Sequence, residues 1–491
     1  MSPIPKIPQP TPTLRFGDAI EGTEVIDADI EYPSDRQGGV QLNEKGRWIV
    51  PISGTPTKVN DLNDGAEFSD DGFRGAGAHL VRRMNKLVEG NPVRRKRHMI
   101  QVTLPEGATP AQVRSLVIGM VVGGHRFVTS NRRQPATVRD INIVPTLPAG
   151  AEGQAQRDKL AKAVEDGRRL GEATSLSRDL SNAPANVKSP EWFARRARKA
   201  VAGIPGVKVR VRDVNWLRDK KFGGILAVGE GSSRLPYLVE LVWDPERVEQ
   251  RRLRSTIALV GKGITFDTGG ISIKPSAGMD LMRTDMTGGA SVIAAFRALA
   301  QMQVPRKVVA VIPMAENMVS GSAYRPGDVV EHYGGITSEV SNTDAEGRMV
   351  LADAVSYVAK KHRPRAIVTI ATLTGAAKLA LGLRTGAVFS SKWSAGVKLA
   401  RRGAVVGEQW WPLPQPKYLE AEVDSKIADV RQAPRGPGAS TAAMFLRRFT
   451  RGVELIHLDI AGPGRADHTY SEVTPVGTGF GARTLVQWIA K

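Results

Sequence analysis

Two carboxylates and a guanidinium stand at alternate positions in residues 342–348, Asn-Thr-Asp-Ala-Glu-Gly-Arg, on a short turn that contains one glycine. In an extended segment alternate side chains point the same way, so Asp344, Glu346 and Arg348 would converge. Carboxylates aimed together repel and raise each other's pKa unless a cation lies between them. A bound divalent metal meets that need, with Arg348 beside it to hold an anion. The plainer alternative is a cap and a surface pair. Asp344 would then cap the helix that follows, where Val350, Leu351, Ala354, Val355 and Val358 share an apolar face, and Glu346 would pair with Arg348 in solvent.

A second cluster favours the metal. Residues 261–274, Gly-Lys-Gly-Ile-Thr-Phe-Asp-Thr-Gly-Gly-Ile-Ser-Ile-Lys, follow an apolar strand-like run at 257–260, and Asp285 comes shortly after. Glycines in such a loop let backbone approach a ligand closely. Asp267 and Asp285 add hard oxygen donors, and Lys262 and Lys274 add two amines. Competing chemistries fail on the same residues. Phe266 stands where a dinucleotide fingerprint needs its third glycine, and Gly263 follows Lys262 where a phosphate loop needs serine or threonine. No G-x-S-x-G elbow is present. The chain has no cysteine, and its seven histidines form no H-x-x-x-H pair. Metal binding must therefore rest on carboxylates and lysine.

These two segments resemble the signature of the leucyl aminopeptidase family, the hexameric di-metal aminopeptidases. The likeness extends to Pro-Met-Ala-Glu-Asn at 313–317, Arg-Pro-Gly-Asp at 325–328, Ala-Thr-Leu-Thr-Gly at 371–375 and Asp-Leu-Ser-Asn-Ala-Pro-Ala-Asn at 179–186, so it covers about the last two-thirds of the chain. Thr287 and Gly289 depart from the family's usual glycine and alanine, and Arg283 from its common lysine. The resemblance implies that Lys262, Asp267, Asp285 and Glu346 hold a tighter ion and that Asp267, Asp344 and Glu346 hold a more exchangeable one. It implies Lys274 as a catalytic ammonium and Arg348 as the anchor of a bicarbonate general base. It implies a substrate pocket near Met282, Thr372 and Leu373, peptides as substrates with leucine or another apolar residue first, and a homohexamer. Mn²⁺ or Zn²⁺, and also Mg²⁺, suit the two-ion site. Lys262 can ligate only as a neutral amine, which requires its pKa to fall far below the usual lysine value of about 10.4.

Apolar runs that alternate with helical patterns must position these loops. Strand-like segments are expected at 98–104, 140–144, 207–211, 226–229, 237–243, 257–260, 308–313, 367–371 and 456–460. Helices are expected at 78–88, 110–122 and 154–173, after a loose start rich in proline and acid. The pattern predicts an α/β protein of two domains: a smaller N-terminal α/β domain at 1–150, a linker helix at 151–175 and a catalytic domain at 176–491. Its central sheet should be mixed and largely parallel, covered by helices, with both clusters in loops at strand ends.

At 491 residues and 41% hydrophobic content, large buried cores are available. No apolar run reaches the ~20 residues of a membrane span, and residues 1–12 lack a signal core, so a cytoplasmic location is expected. The net charge of +20 is the least expected property. Residues 1–180 carry 25 basic against 22 acidic groups, and 181–491 carry 44 against 27. Basic runs at 94–97 and 195–199 make nucleic acid a second candidate partner, although aromatics, at 5%, are not interleaved with them.

Overall fold

The computed structural model describes residues 7–21, 25–31, 40–45, 47–52, 57–58, 68–69, 71–89, 99–129, 137–248 and 255–491. The basic run at 94–97 lies outside them. The chain divides into two compact units. One comprises Met1–Ser175 with Val405–Gly407 and Asp467–Pro475, and the other comprises Leu176–Ala404, Glu408–Ala466 and Val476–Lys491.

In the first unit six strands form one sheet in the order Thr13–Phe16, Asp140–Val144, Met99–Thr103, Val25–Glu31, Trp48–Pro51, Gln41–Leu42, parallel except at the last pair, and Thr57–Lys58 pairs separately with Phe68–Ser69. The helix Pro110–Val122 matches its expected bounds. It opens on a capping box, Thr109 with Gln112, and has proline at its first position. It packs against the helix Asp71–Glu89 at glycine contacts so close that a Cβ at Gly119 would lie 2.0 Å from the Arg74 carbonyl oxygen. That second helix begins seven residues before its expected start. The N-terminal stretch expected to be loose carries strands instead. In Val25–Glu31 the acids that disguised the strand are accommodated by pairing, as Asp29 does with Arg47 at 2.6 Å.

The second unit is built on a mixed sheet covered by helices. Four neighbouring strands, Glu454–Asp459, Ala366–Ala371, Thr256–Gly261 and Lys307–Asn317, run parallel. Antiparallel pairings to Thr385–Ser390 on one side and Tyr237–Trp243 on the other extend the sheet. Near-continuous apolar sequence explains the central strands, since both faces are covered. Val309 and Val311 share a buried cluster with Val350 and Val355 of the helix Glu346–His362. All four parallel strands end at the same edge, from which the 261–274 loop leaves, whereas residues 342–348 follow Thr337–Glu339, a strand of a separate three-stranded sheet.

Two expectations change here. Residues 226–229 belong to a helix, Gly223–Gly229, because four consecutive apolar residues carry no period to separate helix from strand. The linker helix expected at 151–175 runs longer, from Gly150 to Asn182. The run at 195–199 lies on the helix Pro190–Ala200. Among the described residues no helix is long and apolar enough to cross a membrane.

Candidate metal centre

Lys262 lies between two strands. Thr256–Gly261 ends just before it, and Gly263–Asp267 continues beside the end of Lys307–Asn317. Its N–H donates to the Ile370 carbonyl (3.1 Å), and its carbonyl accepts from the Gly289 N–H (2.7 Å), so its backbone is fixed on both sides. The buried side chain crosses the first turn of the helix Glu346–His362. A Cβ at Gly347 would sit 2.6 Å from its Cε and 2.8 Å from its Nζ, which explains why that position is glycine. The amine lies 2.8 Å from Asp285 Oδ2 and 2.6 Å from Glu346 Oε1, and donates to the Thr372 carbonyl at 3.1 Å.

Asp267 closes its strand, buried. Its Oδ1 accepts from Asn317 Nδ2 (2.8 Å) and the Gly269 N–H (2.9 Å), leaving Oδ2 to face Lys274 Nζ at 2.8 Å. Lys274 also bonds Asp344, so one amine spans two carboxylates. The turn between Asp267 and Lys274 needs left-handed backbone at Gly269 and Gly270, with φ of +90° and +64°. Asp285 follows the 3₁₀ turn Met279–Thr284, and its Oδ1 accepts from Thr372 Oγ1 at 2.6 Å. Oxygens of Asp267, Asp344 and Glu346 all lie within 4.8 Å of one another.

The extended geometry expected for 344–348 does not occur. Glu346 is already helical, and Arg348 lies in the same first turn, because the apolar helical pattern reaches back to Met349 and a glutamate is favourable at a helix N-terminus. The cap-and-surface-pair alternative also fails. The helix is capped at Ala345 without a side-chain bond, and Glu346 and Arg348 are both buried. Arg348 donates to the Gln432 carbonyl (2.9 Å), while its Nε has no hydrogen-bond partner among the described residues.

Burial pushes Glu346 and Asp285 above the ordinary carboxylate range, and the charge of Asp267 adds to both shifts. Asp344 is raised for the same two reasons. Burial alone would depress Lys262, but Asp285, Glu346 and Asp267 outweigh it and hold the amine protonated. Ligation through Lys262 therefore requires displacement of a proton that the protein groups alone retain. Burial pulls Arg348 down to about 10 against the attraction of Glu346 and Asp459, which leaves it cationic at neutral pH.

The residues fit a pair of divalent cations. Four carboxylates face two lysines, and among the described residues the buried Asp285 Oδ2 and Glu346 Oε1 have no partner but the Lys262 amine. Hard oxygens with unmet capacity are what such ions coordinate. Met282 is half-buried in the turn before Asp285, and its carbonyl accepts the Asp285 N–H (3.1 Å). Thr372 and Leu373 follow the strand Ala366–Ala371, and the Leu373 N–H donates to Asp459 Oδ1 at 3.2 Å. Sequence reasoning gave no role to Asn317, Asp459 or Gln432. Asn317 and Asp459 stand at ends of parallel strands, a positional signal that could have found them.

One other constellation imitates an active site. His332 Nδ1 lies 3.0 Å from Asp353 and its Nε2 2.8 Å from Ser338 Oγ, in the order of a hydrolase triad. All three are fully buried, so no substrate reaches the serine, and the set ties the helix Glu346–His362 to the strand Thr337–Glu339.

The profile for the catalytic domain of the cytosol aminopeptidase family matches residues 175–486. A probable cytosol aminopeptidase of Corynebacterium diphtheriae is 39% identical over 432 residues, covering 87% of this chain and 80% of that one. Its counterpart from Corynebacterium glutamicum is 47% identical over 320 residues, covering 64% and 62%. Among solved structures, the bottromycin maturation enzyme BotP in complex with Mn is similar over 96% of this chain and 99% of its own, with 32% identity and a TM-score of 0.79.

Proposed function

The chain belongs to the cytosol aminopeptidase family and is therefore a peptide hydrolase; from that premise we propose a two-metal aminopeptidase that releases leucine and other apolar N-terminal residues. The observation that carries the reading is the convergence of Asp267, Asp344 and Glu346 oxygens within 4.8 Å, beside a Lys262 amine wedged between Asp285 and Glu346. Lys262, Asp267, Asp285 and Glu346 would hold one ion, and Asp267, Asp344 and Glu346 the other. Mn²⁺ is favoured by the similar structure with Mn, and Zn²⁺ and Mg²⁺ suit the same donors. Bound there, two divalent ions supply Lewis acidity and a water of lowered pKa.

The chain's own groups supply the rest. Lys274, held protonated by Asp267 despite burial, is the ammonium placed to meet negative charge that develops on the substrate carbonyl oxygen. Arg348, cationic with an unpaired Nε, is the anchor for a bicarbonate general base. Met282, Thr372 and Leu373 would border the first side chain of the peptide, with Thr372 also steadying Asp285. The family likeness supports a homohexamer and a cytoplasmic setting. Among the described residues no observation favours a nucleic-acid role, and the basic excess is read as solvated surface.

Turnover of leucine amide against N-acetyl-leucine amide tests the assignment. A free α-amine is needed as a ligand, so the acetylated compound should not be cleaved. Comparable rates on the two would exclude aminopeptidase action. Sedimentation of active enzyme should give a mass near six chains, and a monomer mass would remove the hexamer.

A further inference from the structure

Gln432 is fully buried and follows the short strand Val430–Arg431, far along the chain from the acidic cluster. Its N–H donates to the Glu339 carbonyl (2.9 Å), which fixes its backbone to the strand Thr337–Glu339. Its side-chain Nε2 donates to the carbonyls of Asn342 (2.8 Å) and Ala345 (3.1 Å), and its Oε1 accepts from the N–H groups of Ser341 and Asn342, both at 3.1 Å. A primary amide has two donor hydrogens and two acceptor lone pairs, and all four are used here. Its own carbonyl accepts from Arg348. One residue thus ties down the loop on both sides of Asp344, the cap of the helix that carries Glu346, and the Arg348 side chain.

The loop needs such a clamp. Asp344 shares its space with Asp267 and Glu346, and of the repulsion among them Lys274 bridges only the Asp267–Asp344 pair. A second cation would hold the loop further but would also neutralise the negative charge on which a divalent ion depends. A neutral amide holds the backbone and leaves the carboxylates charged. On the opposite side Thr343 Oγ1 donates to the Gly269 carbonyl (2.7 Å) and accepts the Ser272 N–H (2.8 Å), which joins the same loop to the turn that carries Lys274.

We propose that Gln432 is a positioning residue that pre-forms the Asp344 loop before any cation binds and thereby sets the affinity of the more exchangeable ion. The proposal rests on the two-ion reading. Calorimetric titration of EDTA-treated full-length protein with Mn²⁺ should show two sites in the wild type. Gln432→Met should weaken the weaker site by roughly 10- to 100-fold, the usual cost of losing a group behind a ligand, and leave the tighter one within about threefold. Thr484→Val, which removes a buried hydroxyl bonded to Glu408 at 2.6 Å, should move neither site and controls for general loosening. Hydrogen exchange on the EDTA-treated wild type needs no variant: the Ser341 and Asn342 amides should be protected. A folded Gln432→Met protein with both Mn²⁺ affinities unchanged would overturn the proposal, as would free exchange of those two amides. A wild type with fewer than two Mn²⁺ sites would instead refute the two-ion reading, and the exchange result would still decide the clamp.

Discussion

Two buried charge clusters lie in the same catalytic unit and are balanced in opposite directions. Glu240, fully buried on the strand Tyr237–Trp243, is met by Arg210 (3.1 Å), Lys361 (2.9 Å), His362 (2.7 Å) and the Tyr357 hydroxyl (3.0 Å). Burial would raise its pKa, but His362 and Lys361 outweigh burial and hold it at about 2. At the candidate metal centre four carboxylates face two lysines, burial pushes carboxyls up, and among the described residues the buried Asp285 Oδ2 and Glu346 Oε1 have no partner but the Lys262 amine. A cluster whose cations satisfy its carboxylate is complete as protein. A cluster with acid in excess is complete only with something added, and the sign of the imbalance separates structure from function.

Removing one carboxylate from each cluster should therefore have opposite consequences. The largest effect belongs to Glu346→Ala, whose side chain is assigned to both ions. Peptidase activity should fall on the order of 10³-fold or more, beyond the 10- to 100-fold typical of groups behind a ligand. Activity within about tenfold of wild type would take Glu346 out of the site. Next is Lys274→Ala, which removes a charge and no ligand. Its kcat should drop on the order of 10²–10³-fold with the bound ions retained, and loss of metal in step with kcat would reassign the lysine to structure.

Glu240→Gln should leave metal binding intact and cost stability, about 1–3 kcal/mol at neutral pH, because Arg210 and Lys361 lose their counter-charge. The pH dependence follows from the depressed pKa. The contribution of Glu240 is present above its ordinary value of 4.5 and is lost as pH falls toward about 2, so the gap between the variant and wild type in denaturant titrations should close across that window. A gap that is constant from pH 7 to about pH 3 would contradict the account. The smallest effect is Asp344→Asn. Ionised Asp344 is disfavoured by burial and by Asp267, so in EDTA the variant should melt at or slightly above the wild type. With Mn²⁺ the order should invert, and a variant less stable in both conditions would remove the repulsion argument.

The central strands were legible because burial on both faces writes them as apolar runs: Ile257 to Val260 lies within Thr256–Gly261. The helix Pro110–Val122 was legible through Thr109, Pro110 and Gln112, whose capping chemistry is local. Gly223–Gly229 was not, since a short apolar run suits either element until Gly224 meets the Met349 carbonyl, which no local signal announces. The metal-centre residues were readable as types and spacings, although their convergence comes from strand ends and a helix start, not from a pleat. Gln432 was invisible for a physical reason. Its role consists of four hydrogen bonds to backbone groups distant in sequence, and nothing in the order Val-Arg-Gln encodes them.

The central claim is that the acid excess exists to hold two divalent ions. Elemental analysis of full-length protein, reconstituted with Mn²⁺ and freed of excess metal, measures it directly. The account predicts two Mn²⁺ per chain in the wild type and at most one in Glu346→Ala, with Glu240→Gln unchanged at two. Two ions retained in Glu346→Ala would contradict it.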